Sequence, residues 1–361
     1  MAELVEVKKD SLHEIDKELE EIIARQKAAI KVFGVGGGGG NTLTRMKEIG
    51  IKGTEMIAIN TDAQDLLYTY SDDKVLIGKE LTHGLGAGSN PQVGEEAAHE
   101  SEREIKQRLQ GADMVFITCG LGGGTGTGAA PIVAEIAKKL GALVIGVVTI
   151  PFTVEGQRRY ENALIGLEKM ESVVDTLIVI PNDKLLELAP DLPLHTAFKI
   201  ADEILTNSVK GITELVTKAG LVNLDFADIK TIMLNGGVAM IGVGESDSQN
   251  RAVEAVEKAI ENPLLDVNIS DANGALINIT GGLDMSLDET RKIIDAIAKR
   301  IHPNAKLIWG AQLNEDMDKT LRVLLIVTGV KSPQILGSGE NRKDKEKRKV
   351  VEELGIDFVD E

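Results

Sequence analysis

The chain has 361 residues, 43% of them hydrophobic, which is long enough for two cores and too apolar for wholesale disorder. A formal charge of −17 repels polyanions and an aromatic content of 3% leaves few platforms for stacking bases, so nucleic-acid binding is disfavoured, whereas backbone N–H groups can still hold a small phosphorylated ligand. Cys119 stands alone and excludes an internal disulfide, the first residues lack a signal-peptide pattern, and no apolar run approaches the roughly 18 residues of a membrane span; we expect a cytoplasmic protein without direct membrane insertion.

The N-terminal stretch 1–29 opens with Ser11-Leu12-His13-Glu14, a capping-box pattern, followed by Leu12, Ile15, Leu19 and Ile22 at helical spacing; an amphipathic helical extension is expected. From residue 30 short apolar runs alternate with amphipathic stretches, the pattern of a mainly parallel α/β sheet. Strands are expected over 30–35, 55–60, 74–77, 114–119, 143–149 and 176–181. A helix over 194–218, at ~1.5 Å per residue, spans roughly 37 Å and bridges the two halves. Strands over 238–245, 275–280, 306–312 and 321–330, with helices over 249–262 and 287–301, make a smaller α/β domain with a four-stranded sheet. The domain plan is therefore an extension (1–29), a nucleotide-binding domain (30–193), a connecting helix (194–219), a second domain (220–330) and a flexible, charged tail (331–361).

Two glycine-rich segments carry the chemistry. Gly34-Val35-Gly36-Gly37-Gly38-Gly39-Gly40-Asn41 leaves a strand and opens a helix, so it satisfies a dinucleotide-binding pattern; the acidic residue which that fold needs after the second strand is replaced by Asn60, which argues against a dehydrogenase. The stronger signal is Gly122-Gly123-Gly124-Thr125-Gly126-Thr127-Gly128, where glycines admit an anion to the backbone and the next helix supplies free N–H groups. A third loop, from Gly84 to Pro91, can join them around a triphosphate. No P-loop is present, since Gly78-Lys79 is followed by Glu80.

With Asn60-Thr61-Asp62-Ala63-Gln64, Ile180-Pro181-Asn182-Asp183-Lys184 and Asn223-Leu224-Asp225-Phe226-Ala227-Asp228, these segments make the chain resemble the FtsZ family of tubulin-like division GTPases over about 30–330, in its archaeal form. The resemblance implies a tubulin/FtsZ-like fold, a Rossmann-like parallel-sheet GTPase domain joined by the long helix to the smaller domain. It implies GTP and GDP as ligands, with Mg2+ accompanying the triphosphate and no protein metal site. Gly37, Gly38, Gly39, Gly40, Asn41, Ala87, Gly88, Gly124, Thr125, Gly126 and Thr127 would wrap the phosphates. Glu155 and Arg159 would reach the ribose, and Asn182, Phe198 and Asp202 the guanine. Spacing alone leaves alternatives open: Glu155 and Arg159, four apart on a shared helix face, also read as a surface ion pair, and Phe198 as core packing. An acceptor-only Asp202 suits the N–H donors of guanine and rejects adenine.

Asn223, Asp225 and Asp228 can polarise a water or simply cap a loop. The resemblance implies that they serve the nucleotide of the next subunit, so that head-to-tail homopolymers hydrolyse GTP at midcell. A nucleotide-binding paralogue without turnover would lack these acids. The basic run of Arg342, Lys343, Lys345, Lys347, Arg348 and Lys349 reads as solvated charge, and the apolar end around Ile356, Phe358 and Val359 as a docking peptide for a membrane-tethering division adaptor.

Overall fold

The computed structural model describes residues 28–188, 193–217, 221–222, 225–265 and 269–330; the N-terminal extension, the tail and Asn223 lie outside them. Ten strands form one sheet: β1 Ile30–Val35, β2 Thr54–Asn60, β3 Asp73–Leu76, β4 Met114–Gly120, β5 Leu143–Ile150, β6 Thr176–Pro181, β7 Gly237–Ser246, β8 Gly274–Gly281, β9 Lys306–Leu313 and β10 Leu321–Thr328. Their order is β3-β2-β1-β4-β5-β6-β7-β10-β8-β9. The first six are parallel throughout. β4 and β5 are almost entirely buried, as expected for strands covered by helices on both faces, and their near-continuous apolar sequences follow from that.

The second half is not a detached sheet. β7 runs parallel to β6, pairing Thr176, Leu177 and Ile178 with Gly237, Val238 and Ala239, and β10 then pairs antiparallel with β7 and β8. Each face of the composite sheet carries its own core. One is built by helices Pro91–Glu100, Glu102–Leu109, Thr125–Lys139 and Gln157–Val173, and continues onto Arg251–Ile260 and Leu287–Ala298.

The other core is built on the central helix, Leu194–Thr217, whose Ala201, Leu205, Val209, Ile212 and Leu215 recur at spacings of three and four and are all buried. Gly211 lets this helix approach closely: a Cβ there would lie 2.2 Å from Leu324 Cδ2, and the Gly211 carbonyl accepts a hydrogen bond from Asn278 Nδ2 at 3.1 Å. Twenty-four residues give a length of roughly 36 Å. Its two ends touch opposite ends of the parallel strands. Near the start, Thr42 Oγ1 stands 3.5 Å from Asp202 Oδ1, beside the carboxyl ends of the parallel strands. At the finish, a Cβ on Gly53, just before β2, would lie 3.0 Å from Thr217 Cγ2.

Candidate functional site

In open parallel sheets the crevice lies outside the carboxyl ends of the strands, where the strand order reverses. Here the reversal falls between β1 and β4, and both glycine segments follow those two strands. The helix Gly36–Ile49 begins within the first glycine run, and no side chain caps it. Its early N–H groups are therefore open to an anion. Gly37, Gly38 and Asn41 are exposed, whereas Gly39 and Gly40 are buried.

Most of the glycines are required by contact between loops. A Cβ on Gly36, whose φ is +71°, would lie 2.9 Å from the Gly126 nitrogen; one on Gly38 would lie 3.0 Å from the Gly120 nitrogen. A Cβ on Gly124 would lie 2.8 Å from Ala87 Cβ and 2.9 Å from the Asn90 nitrogen. The three loops thus meet in van der Waals contact, Ala87 buried and Gly88 exposed. Gly123 is different. It has an ordinary φ, and a Cβ there would meet nothing within 4 Å, so neither strain nor packing demands glycine.

The signature hydroxyls also build the loop. Thr125 Oγ1 lies 2.6 Å from Thr61 Oγ1, and Thr127 Oγ1 accepts from the Gly122 N–H at 2.8 Å. Asp65 stands against the first glycine run, its Oδ2 accepting from Asn60 Nδ2 at 2.6 Å and lying 3.2 Å from where a Gly37 Cβ would be. Sequence reasoning singled out none of Gly123, Thr61 or Asp65 individually, although each lies in a quoted motif or next to one.

The residues expected at the ribose and the base gather around the turn after β5. Glu155 ends a short 3-10 turn, Thr153–Glu155, and Gly156 at φ +101° separates it from the helix Gln157–Val173 that carries Arg159. The two residues therefore do not share a helix face as their spacing suggests; the reversal at Gly156 brings them together, and they form an ion pair. The other Glu155 oxygen, Oε1, accepts from the Phe152 N–H at 2.9 Å. Phe198, on the central helix, is 38% exposed rather than a core residue, and its ring meets that of Phe152 edge-on at 5.1 Å. Asn182 is buried and its Oδ1 has no partner among the described residues, so this acceptor awaits a donor. Burial raises the Asp202 carboxyl to about 6, opposed by the Thr42 hydroxyl and the Arg45 charge.

Asp225 and Asp228 lie elsewhere. They form a reciprocal capping box on the helix Phe226–Met233: Asp225 Oδ1 accepts from the Asp228 N–H at 2.8 Å, and Asp228 Oδ2 accepts from the Asp225 N–H at 3.3 Å. That helix ends against the amino end of β6, where Thr176 Oγ1 donates to the Met233 carbonyl at 2.5 Å and the Gly237 N–H bonds the Asp175 carbonyl. The end of that helix therefore lies at the opposite end of the parallel strands from the glycine loops. Cys119 is buried and its thiol is pushed up to about 12, as a core residue rather than a nucleophile.

A model of the Tubulin/FtsZ family GTPase domain matches residues 29–190, and one of the FtsZ family C-terminal domain matches residues 237–331. The chain is 59% identical over 344 residues to a cell division protein FtsZ 1 of Thermococcus kodakarensis, with 94% of this chain and 92% of that one covered. It is 57% identical over 332 residues to that of Methanocaldococcus jannaschii, covering 92% and 91%. A solved empty FtsZ dimer from M. jannaschii, 58% identical, superposes with a TM-score of 0.84 over 87% of this chain and 92% of that chain.

Proposed function

The chain belongs to the FtsZ family, and from that premise we propose that it is a cell-division GTPase which assembles head to tail and hydrolyses GTP between subunits. The glycine loops hold the phosphates, Glu155 and Arg159 the ribose, and Asn182, Phe198 and Asp202 the guanine. The acids of the neighbouring subunit complete the site. Asp225 and Asp228, together with Asn223, which lies outside the described residues, orient and polarise the attacking water. One observation supports this reading: the central helix runs from Asp202, beside the glycine loops, to Thr217, at the opposite end of the parallel strands, and the acids follow Thr217 in the chain, which favours their serving the phosphates of a neighbouring subunit.

Mg2+ would be held chiefly by phosphate oxygens, where it supplies charge neutralisation. Among the described residues there is no cluster of three carboxylates, histidines or cysteines able to bind it unaided. Asp65 fits as an outer partner, because a carboxylate facing a phosphate loop is repulsive unless a cation lies between them. The charged tail and its apolar end form the docking element for a membrane-tethering adaptor at the division site. No described helix is long and apolar enough to cross a membrane itself.

Complementation tests the shared site. Asp225→Asn keeps a good N-cap while removing the charge, and Gly123→Val projects into open space without disturbing its own loop. Each variant alone should lose most turnover, the first with nucleotide binding intact. Mixed, they should recover part of it, since an intact pocket on one meets intact acids on the other. Failure of the mixture to recover turnover, with both variants folded, would put the acids in their own subunit's site.

A further inference from the structure

We propose that Phe152 is the positioning residue of the nucleoside half of the site: it holds the Phe198 ring and the Glu155 carboxylate in their binding arrangement before nucleotide arrives. The inference rests on the reading of Phe198 as the base platform and assigns what sets that platform. A phenylalanine 38% exposed is only partly held by its surroundings, so a specific neighbour can set its rotamer. The ring of Phe198 has one aromatic neighbour among the described residues, Phe152, at a centroid distance of 5.1 Å and an interplanar angle of 89°. That edge-to-face geometry is the favoured one for an aromatic pair.

Phe152 is itself 1% exposed and among the largest fully buried side chains of the protein, so its position is fixed. Its contacts link that fixed ring and its backbone to the nucleoside residues. Its ring supports the base platform. Its N–H donates to Glu155 Oε1 at 2.9 Å, leaving the other oxygen of Glu155 for Arg159. The next residue, Thr153, donates its N–H to Asp183 Oδ1 at 3.0 Å, and Asp183 follows Asn182 in the chain. A single turn thus registers the ribose pair, the base platform and the buried Asn182 acceptor against one another. Sites that need no rearrangement on binding lose less affinity to ordering.

The experiment measures affinity for GDP and for inorganic tripolyphosphate, a probe without base or ribose, in Phe152→Leu, Phe198→Leu and the double variant. Leucine keeps the backbone N–H to Glu155, so the single variant isolates the ring. We expect Phe152→Leu to weaken GDP binding by about fivefold to tenfold and leave tripolyphosphate within about twofold. In the Phe198→Leu background the same change should cost less than about twofold, because its target is gone. Equal weakening for both probes would make Phe152 a general packing residue and overturn the proposal, as would additive losses in the double variant. An unchanged GDP affinity in Phe198→Leu would remove the base platform itself, a different failure from an unchanged affinity in Phe152→Leu alone. If Phe152→Leu does not fold, Phe152→Met, which fills more of the same volume with a flexible chain, carries the same comparison.

Discussion

Asp202 illustrates how much of a side chain's behaviour is set by its surroundings. Its carboxyl is raised to about 6 because burial disfavours the charged form, while Thr42 and Arg45 return only part of that. Two guanine N–H donors would favour the carboxylate, so the pKa with nucleotide bound lies below the free value. Affinity is then fully present above about pH 6 and falls as pH drops from there toward the bound pKa, by at most about tenfold per unit. Titrating GDP binding from pH 7.5 to 5 checks this; Asp202→Asn should bind weakly and with a flat profile. The residue type carried the expectation of an acceptor there. The raised pKa was not legible, because it comes from burial, which depends on how the central helix packs against segments distant in the chain. Gly123 teaches the converse. The sequence shows a run of glycines without distinction, and only the geometry separates those that pack against another loop from Gly123, which faces open space.

Among the elements, strands and long helices follow closely from hydrophobic period, β1 and β6 to the residue and the central helix to within one at its end. The short helix Phe226–Met233 was not legible, since eight residues barely establish a period, although Asp225 and Asp228 mark its start. Capping and a part in chemistry are compatible here, because each acid uses one oxygen in the box. In the second half, Arg251 joins two helices: it donates to Glu289 Oε1 at 2.6 Å and to Asp284 Oδ2 at 2.7 Å, and is itself buried. The Arg251 guanidinium holds the Glu289 carboxyl down to about 2, well below its ordinary value of 4.5. A depressed carboxyl contributes stability that is present above about pH 4.5 and lost as pH falls toward 2. Arg251→Met should cost about 2 kcal/mol at pH 7, less than a fully buried pair because Asp284 is half exposed, and much less at pH 3. Denaturant unfolding at the two pH values measures the difference.

For the whole molecule, an active site divided between copies makes turnover a property of assembly. Specific activity should rise with protein concentration from near zero in dilute solution, then level off once chains are paired; steady-state phosphate release over a concentration series reads this directly. Activity strictly proportional to concentration down to dilute monomer is the contrary outcome. The sequence by itself determined the strands and the long helices, because hydrophobic period is a local property, and glycine runs and side-chain chemistry carried the expectation of phosphate at the glycine loops and of guanine at Asp202. It did not determine that the two halves share one sheet. That rests on three residue pairs between β6 and β7, a contact across more than 50 residues of chain that no local pattern encodes. Nor did it fix where the two ends of the central helix dock, Asp202 beside Thr42 and Thr217 against Gly53. Tertiary structure decided both, because the edge a loop reaches depends on strand order and helix packing, and these are settled by burying two apolar faces at once rather than by any one segment.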